Sequence, residues 1–260
     1  MKVSYLYLPL LAFAIAFAST QKATASIIVF EDSFNYTGWN TGDNRMNAVW
    51  TKYIGGDPVI GDGSSTSGFP DTYLSVANRG VYVDLPNALT TDWSLSVTMI
   101  SSLYGRYSWF GLTDGTGQNG YYVGWDTALI TQYNAQGRIG IGEMSNATPG
   151  YANPGTVATY VTSGAIAAVE NSNFSSLASV TLTWIAATHT LQLYVNDVLK
   201  QTVVDDSVTS FSRIYLTGNT AYYGEVVLTT VPEPSSVAII FAAIILGICT
   251  FKKWGGRKHA

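Results

Sequence analysis

Val180-Thr181-Leu182-Thr183-Trp184, followed across Thr188-His189-Thr190 by Leu191-Gln192-Leu193-Tyr194-Val195, decides the fold of this chain. In both runs apolar and polar residues alternate with a period of two, the spacing that lays one face of a strand on a core and the other in water. The short polar link makes them a predicted β-hairpin. Asn196-Asp197 then turns the chain into Val198 to Val204. Upstream, Ser94-Leu95-Ser96-Val97-Thr98-Met99 repeats the device, with hydroxyls on one face and apolar side chains on the other.

Working outward, strands are predicted at Ile27 to Asp32, Tyr73 to Val76, Val81 to Leu85, Arg106 to Thr113, Tyr121 to Asp126, Arg138 to Met144 and Val157 to Thr162. Phe211 to Leu216 and Tyr222 to Leu228 complete the set. Gly, Asn, Asp and Ser separate the runs, and helical periodicity is nearly absent between Ser26 and Thr230. Only Ala165 to Asn171 reads as a short helix or an irregular crossing. The span predicts an all-β domain, a two-sheet antiparallel sandwich or jelly roll. Its 205 residues suffice for one sizeable core.

Between Ser26 and Thr230 sixteen acids stand against seven cations, a net of −9. With no basic patch to neutralise phosphates, nucleic acid is excluded as a partner. Cys249, the one cysteine, lies outside this span. Disulfides, thiolate metal sites and cysteine nucleophiles are therefore absent from the domain, which is large enough to stand on its core alone.

Phe30-Glu31-Asp32-Ser33-Phe34-Asn35-Tyr36, Gly120-Tyr121-Tyr122-Val123-Gly124-Trp125 and Val180 to Asn196 together resemble a LamG-like, concanavalin A-type jelly roll. The resemblance implies two curved antiparallel sheets, with ligands taken on one face or its rim loops. Some proteins of this fold cleave polysaccharides, and laminarinase-like ones carry a Glu-x-Asp-x-x-Glu strand. No such triple occurs here. Glu31 and Asp32 are adjacent, so on a strand they point to opposite faces and cannot form the two-carboxylate geometry of glycoside hydrolysis. His189 is the domain's one histidine and sits in the predicted hairpin turn, with no Gly-x-Ser-x-Gly elbow elsewhere, which leaves a serine triad without a basis.

The expected activity is non-catalytic, glycan binding or structural use, and a polysaccharide-degrading hydrolase or lyase is the alternative. No cofactor is expected apart from calcium, which such folds often hold in rim loops; Asp57, Asp62 and Asp114 are the candidates, against plain Asp-Gly turn chemistry. The aromatic stretch 104–125 offers a second resource, since ring faces stack on sugars. Tyr107 and Trp109 share one parity and Tyr122 and Asp126 another, so these four are the candidate glycan platform. The alternative places these rings in the core. Gly111 to Gly124 lacks a following helix and a Gly-Lys-Ser/Thr, and reads as loop glycines rather than a phosphate cradle.

The ends of the chain predict delivery. Residues 1–25 read as a secretory signal peptide: Lys2, an apolar stretch Val3 to Ala18, and Ala23-Thr24-Ala25 before Ser26, so signal peptidase would cut between Ala25 and Ser26. Retention as an uncleaved anchor is the alternative. At the other end, residues 231–260 hold Val231-Pro232-Glu233-Pro234, an uncharged run over 235–251 near the lower length limit for a membrane helix, and a tail with Lys252, Lys253, Arg257 and Lys258. The positive charge places that tail in the cytoplasm and the domain outside. This end resembles the PEP-CTERM sorting signal, which implies an exosortase as partner, removal of the tail near the box, and display of the domain at a bacterial surface or in an exopolysaccharide matrix. An ordinary tail anchor with a chance Pro-Glu-Pro is the alternative.

Overall fold

A computed structural model of the chain describes residues 26–42, 45–62, 72–76, 78–101, 107–126, 138–144, 159–160, 167–168, 178–218 and 221–230. The expected signal peptide, sorting box and membrane run lie outside these residues, and among the described ones no helix is long and apolar enough to cross a membrane. Ile28–Thr230 forms a compact unit; the second unit, residues 1–27 and 231–260, lies almost wholly outside the described residues.

Within the first unit the chain runs through β1 (Ile27–Asp32), β2 (Thr51–Ile54), β3 (Val59–Asp62), β4 (Thr72–Ser75), β5 (Arg79–Leu89), β6 (Trp93–Ser101), β7 (Tyr107–Thr113) and β8 (Gly120–Asp126). It continues through β9 (Arg138–Met144), β10 (Thr159–Tyr160), β11 (Ala167–Ala168), β12 (Ala178–Ile185), β13 (Thr190–Val195), β14 (Val198–Val204), β15 (Phe211–Gly218) and β16 (Ala221–Thr230). They make two sheets, one ordered β14-β13-β12-β6-β16-β4-β3 with β1 also on β16, the other β10-β9-β8-β7-β15-β5-β2 with β11 also on β9. This is the predicted all-β, two-sheet antiparallel sandwich. The last two strands do not add at edges: β15 lies between β7 and β5, and β16 between β6 and β4. Both sheets are therefore closed by the C-terminal end of the unit, through pairings of long sequence separation.

The hairpin of β12 and β13 has the register its alternation requires. Val180 faces Val195, Leu182 faces Leu193 and Trp184 faces Leu191, all buried, while Thr181–Tyr194 and Thr183–Gln192 alternate with them on the outer face. The link is a single 3-10 turn at Ala186–Thr188, closed by His189 in the left-handed conformation (φ 48°). The His189 ring lies parallel to Trp184, 5.8 Å between centroids, so it is half-buried rather than free in solvent.

Three elements differ from expectation. β2 and β3 were not predicted: Thr51-Lys52-Tyr53-Ile54 and Val59-Ile60-Gly61-Asp62 are four-residue edge strands with too little alternation to register as strands. In the segment 165–171, Ala167 and Ala168 pair with β9 as a strand rather than forming a helix.

The core between the sheets is rich in aromatics. Trp93 meets Phe211 edge-on at 5.1 Å, and Phe211 meets Trp184, which stacks on Tyr121 at 5.8 Å. At the N-terminal end Asp32 organises a second cluster. Asp32 is 7% exposed, and its carboxylate accepts from the Phe34 N–H (2.7 Å), the Tyr36 hydroxyl (2.9 Å) and Trp50 Nε1 (2.5 Å). Glu31 points the other way into solvent, as adjacent strand residues must. Phe30 and Phe34 flank Trp50 at 5.5 and 5.8 Å, which fixes why Phe30 to Tyr36 is a recognisable segment. Asp32→Ala is expected to cost about 3 kcal/mol or more, because each hydrogen bond to a charged group contributes roughly 1.5–3 kcal/mol. Asp32→Asn, which keeps an acceptor, should lose less; thermal melts in which Asp32→Ala matches the parent would contradict this.

Candidate functional site

Along the middle of the second sheet, on β7, β8 and β15, large apolar and aromatic side chains are buried on both faces. On β7 Phe110 and Leu112 enter the inter-sheet core while Trp109 points away; on β8 Tyr121 and Val123 enter it while Tyr122 points away; on β15 Ile214 and Leu216 enter it while Tyr215 points away. Trp109, Tyr122, Met144 and Tyr215 form a separate buried cluster, with Tyr53 and Tyr82 packed against it. Glycine makes room for this second layer. Trp109 is paired in register with Gly124 and Tyr122 with Gly142, and a Cβ at either glycine would enter the ring that covers it. Tyr53 covers Gly80 in the same way. The rings lie across the sheet instead of standing out from it, with Trp109 and Tyr122 edge-to-face at 5.3 Å.

This corrects the platform expectation. Trp109 is 3% exposed and Tyr122 0%, so neither offers a face to a sugar. Tyr107 and Asp126 pair with each other at the ends of β7 and β8, and their side chains fall outside the described residues.

Along the same face, at β5 and β15, the aromatic layer opens into a recess of about 60 Å³ lined by Tyr53, Tyr82, Thr113, Thr116, Gly117, Arg213 and Tyr215. A bulge between Phe211 and Arg213 sends Phe211 into the core and Arg213 to this face. Arg213 Nε donates to Asp84 Oδ1 at 2.7 Å, and its guanidinium sits 3.9 Å over the Tyr82 ring. Opposite, the Asp114 turn builds a wall: Asp114 Oδ1 accepts from the Thr116 N–H (3.1 Å) and hydroxyl (2.6 Å), and Oδ2 from Asn119 Nδ2 (2.8 Å). Partial burial raises the Asp114 carboxyl, but the bonds from Asn119, Thr116 and Gln118 outweigh it and hold it below its ordinary value.

Three hydroxyls of the lining, those of Tyr53, Thr113 and Tyr215, are buried and have no hydrogen-bond partner among the described residues. Burial, with Tyr122, Tyr53 and Tyr223 around it, pushes the Tyr215 phenol well above its ordinary range, so it stays a proton donor. Burial likewise raises the Tyr53 phenol, and the nearby Thr217 hydroxyl offsets only part of that rise.

Among the described side chains of this face, Asp84 is the one carboxylate, and it is committed to Arg213. A close carboxylate pair does occur elsewhere. Ser207 Oγ lies 2.5 Å from Asp205 Oδ1 and 2.8 Å from Glu143 Oε1, and the Tyr121 hydroxyl donates to Asp205 at 2.5 Å. Burial raises the Asp205 carboxyl, yet the bonds from Ser207 and Tyr121 outweigh it and hold it below its ordinary value. A glycosidase acid needs the opposite shift. The group is a strut that ties the loop after β14 to β8 and β9.

The calcium candidates sit on separate segments. Asp57 pairs with Lys52 at 2.6 Å, Asp62 ends β3, and Asp114 is spent on its own turn. Among the described residues no three His, Cys, Asp or Glu side chains group closely enough to hold a metal.

Sequence reasoning passed over Tyr53, Tyr82, Thr113, Arg213 and Tyr215. The parity of Arg213 with Tyr215 was legible; their meeting with β5 across some 130 residues was not, because Arg213 and Asp84 are 129 positions apart.

No protein-family model matches this sequence, and no curated protein does either. Among solved structures, β-agarase A from Zobellia galactanivorans superposes with a TM-score of 0.52 at 12% identity, over 79% of this chain and 92% of that one. Bacillus licheniformis β-glucanase gives 0.44 at 14% identity over 80% and 99%, and carbohydrate-binding module CBM66 from Bacillus subtilis gives 0.38 at 12% over 67% and 90%. With the sheet order above, the agarase superposition shows that the body shares that protein's overall fold, a two-sheet antiparallel sandwich consistent with a jelly roll. At this identity the shared property is the fold.

Two outcomes are expected. Trp109→Ala should cost about 3–5 kcal/mol, as for other buried tryptophans, and lower the melting temperature by roughly 10 °C for a domain of this size; an unchanged melt would put the ring outside. Because the folded Asp205 carboxyl lies below its ordinary 3.8, the stability it adds is complete above that value and lost as pH falls through the folded one. Melts from pH 5 to pH 2 should therefore fall more steeply for the parent than for Asp205→Asn, and parallel curves would count against the strut.

Proposed function

We propose that this chain is an exported bacterial surface protein whose jelly roll holds glycan, or serves the extracellular matrix structurally, without cleaving polysaccharide. The observation that carries the binding reading is the recess: buried hydroxyls of Thr113 and Tyr215 without partners among the described residues, beside a guanidinium stacked on Tyr82. A buried polar group left unsatisfied costs about 1–3 kcal/mol, and a polyhydroxylated ligand with ring faces suits such a surface. Against cleavage stands the single described carboxylate of that face, already ion-paired, where hydrolysis needs two. The fold shared with β-agarase A is what a hydrolase or lyase reading rests on.

For delivery, the reading rests on the sequence of the two ends. Signal peptidase would release Ser26, the run 235–251 would halt export at the inner membrane with Lys252, Lys253, Arg257 and Lys258 in the cytoplasm, and an exosortase would act at Val231-Pro232-Glu233-Pro234. Calcium in the rim loops is carried forward as a secondary proposal, checked by the melting temperature with calcium and with chelator.

Intact-mass spectrometry of the protein recovered from an exosortase-containing host should give a chain lacking both ends; a mass reaching Ala260 would replace sorting by a permanent anchor. On a polysaccharide array the same material should bind without releasing reducing ends. Release of sugar would move the assignment to the hydrolase, and binding to none of the polysaccharides would leave a structural role.

A further inference from the structure

We propose that the recess between Thr113, Arg213 and Tyr215 takes an oxyanion substituent of a sugar, a carboxylate or sulfate, so that the ligand is an acidic polysaccharide. This rests on the reading of the recess as a glycan site. Size comes first. A cavity of about 150 Å³ accommodates one benzene ring; at about 60 Å³ this recess admits a substituent of a few heavy atoms but not a sugar ring. The ring itself would remain outside, against Tyr82 and the surface of the sheet.

Charge comes second. Arg213 is the one ionised side chain in the lining, and the carboxylate that pairs with it, Asp84, is 59% exposed and not part of the lining. Among the described residues Arg213 uses its Nε–H on Asp84 and no hydrogen bond uses its Nη groups, one of which borders Gly117 on the recess wall. A guanidinium with free N–H groups takes oxyanions in charge-assisted bonds.

Hydrogen-bond chemistry comes third. The phenol of Tyr215 and the hydroxyl of Thr113 each have a proton to give and no protein acceptor among the described residues. No carboxylate lines the recess to take those protons. A carboxylate or sulfate is acceptor-only and has lone pairs enough for both hydroxyls and the guanidinium Nη groups together, whereas a neutral sugar hydroxyl brings its own proton and adds no charge on the Nη side of the guanidinium, whose Nε side is paired with Asp84.

The experiment uses the full chain in detergent, with binding measured to polygalacturonate for carboxylates, carrageenan for sulfates, and agarose and dextran as neutral controls. The expected result is binding to one or both acidic polymers at least about tenfold tighter than to the neutral ones, weakening with salt. Tyr215→Phe and Thr113→Val should each lower acidic-polymer affinity about tenfold, with melting temperatures unchanged or raised, since each removes a buried hydroxyl that has no partner in the protein. Arg213→Gln should abolish the preference for acidic over neutral polymers. Equal binding to acidic and neutral polymers, or full affinity in Tyr215→Phe and Thr113→Val, would overturn the inference and leave the glycan reading standing. Binding to none of the four polymers would overturn both.

Discussion

A ring lying over a glycine on the neighbouring strand is the contact on which the second sheet depends. Trp109 over Gly124, Tyr122 over Gly142 and Tyr53 over Gly80 repeat it across the sheet. A side chain at any of these glycines would lift its ring off the backbone. With glycine there, the rings lie down and bury a layer on the face opposite the core. The inter-sheet core alone would leave that face polar, as in an ordinary half-buried antiparallel sheet. Here Phe110 and Trp109, or Tyr121 and Tyr122, are neighbours in sequence and are both buried, on opposite sides.

The recess follows from where this pairing stops. Tyr215 stands between Gly111 on β7 and Tyr82 on β5, so on one side it has a glycine and on the other a second ring. Beyond it Arg213 replaces an aromatic, carried to this face by the bulge that keeps Phe211 in the core. The Asp114 turn closes the far wall through Thr116 and Gly117, and the Asp114 carboxylate, outside the lining, is spent on its own loop. Polar groups buried by the aromatic layer, rather than rings displayed on top of it, thus become the chemically open part of this face.

The sequence made the alternating strands plain because one period-two pattern means one buried face. Val180 to Val195 announced its register, and the adjacent pair Glu31-Asp32 announced opposite orientations, with Asp32 inward on Phe34, Tyr36 and Trp50. The pattern failed where both faces are buried or neither is. Trp109 and Tyr122 looked like an outward platform because outward parity normally means solvent; only the cross-strand glycines, brought opposite by pairing, show otherwise. β2 and β3 are short edge strands with a glycine or a lysine in four residues, too brief for periodicity to register. The recess was illegible for a further reason, since Tyr53, Tyr82, Thr113 and Tyr215 come from four strands whose order in the sheet no local pattern encodes.

The most direct test of the account is where a bound polysaccharide touches the domain. Side-chain NMR of tyrosine-labelled protein, titrated with oligogalacturonate or sulfated oligosaccharide fragments, reads each ring separately. Shifts concentrated on Tyr53, Tyr82 and Tyr215, with Tyr73, Tyr194 and Tyr222 of the other sheet unchanged, are the predicted result. Shifts confined to Tyr73, Tyr194 and Tyr222 would place the ligand on the opposite sheet and contradict it.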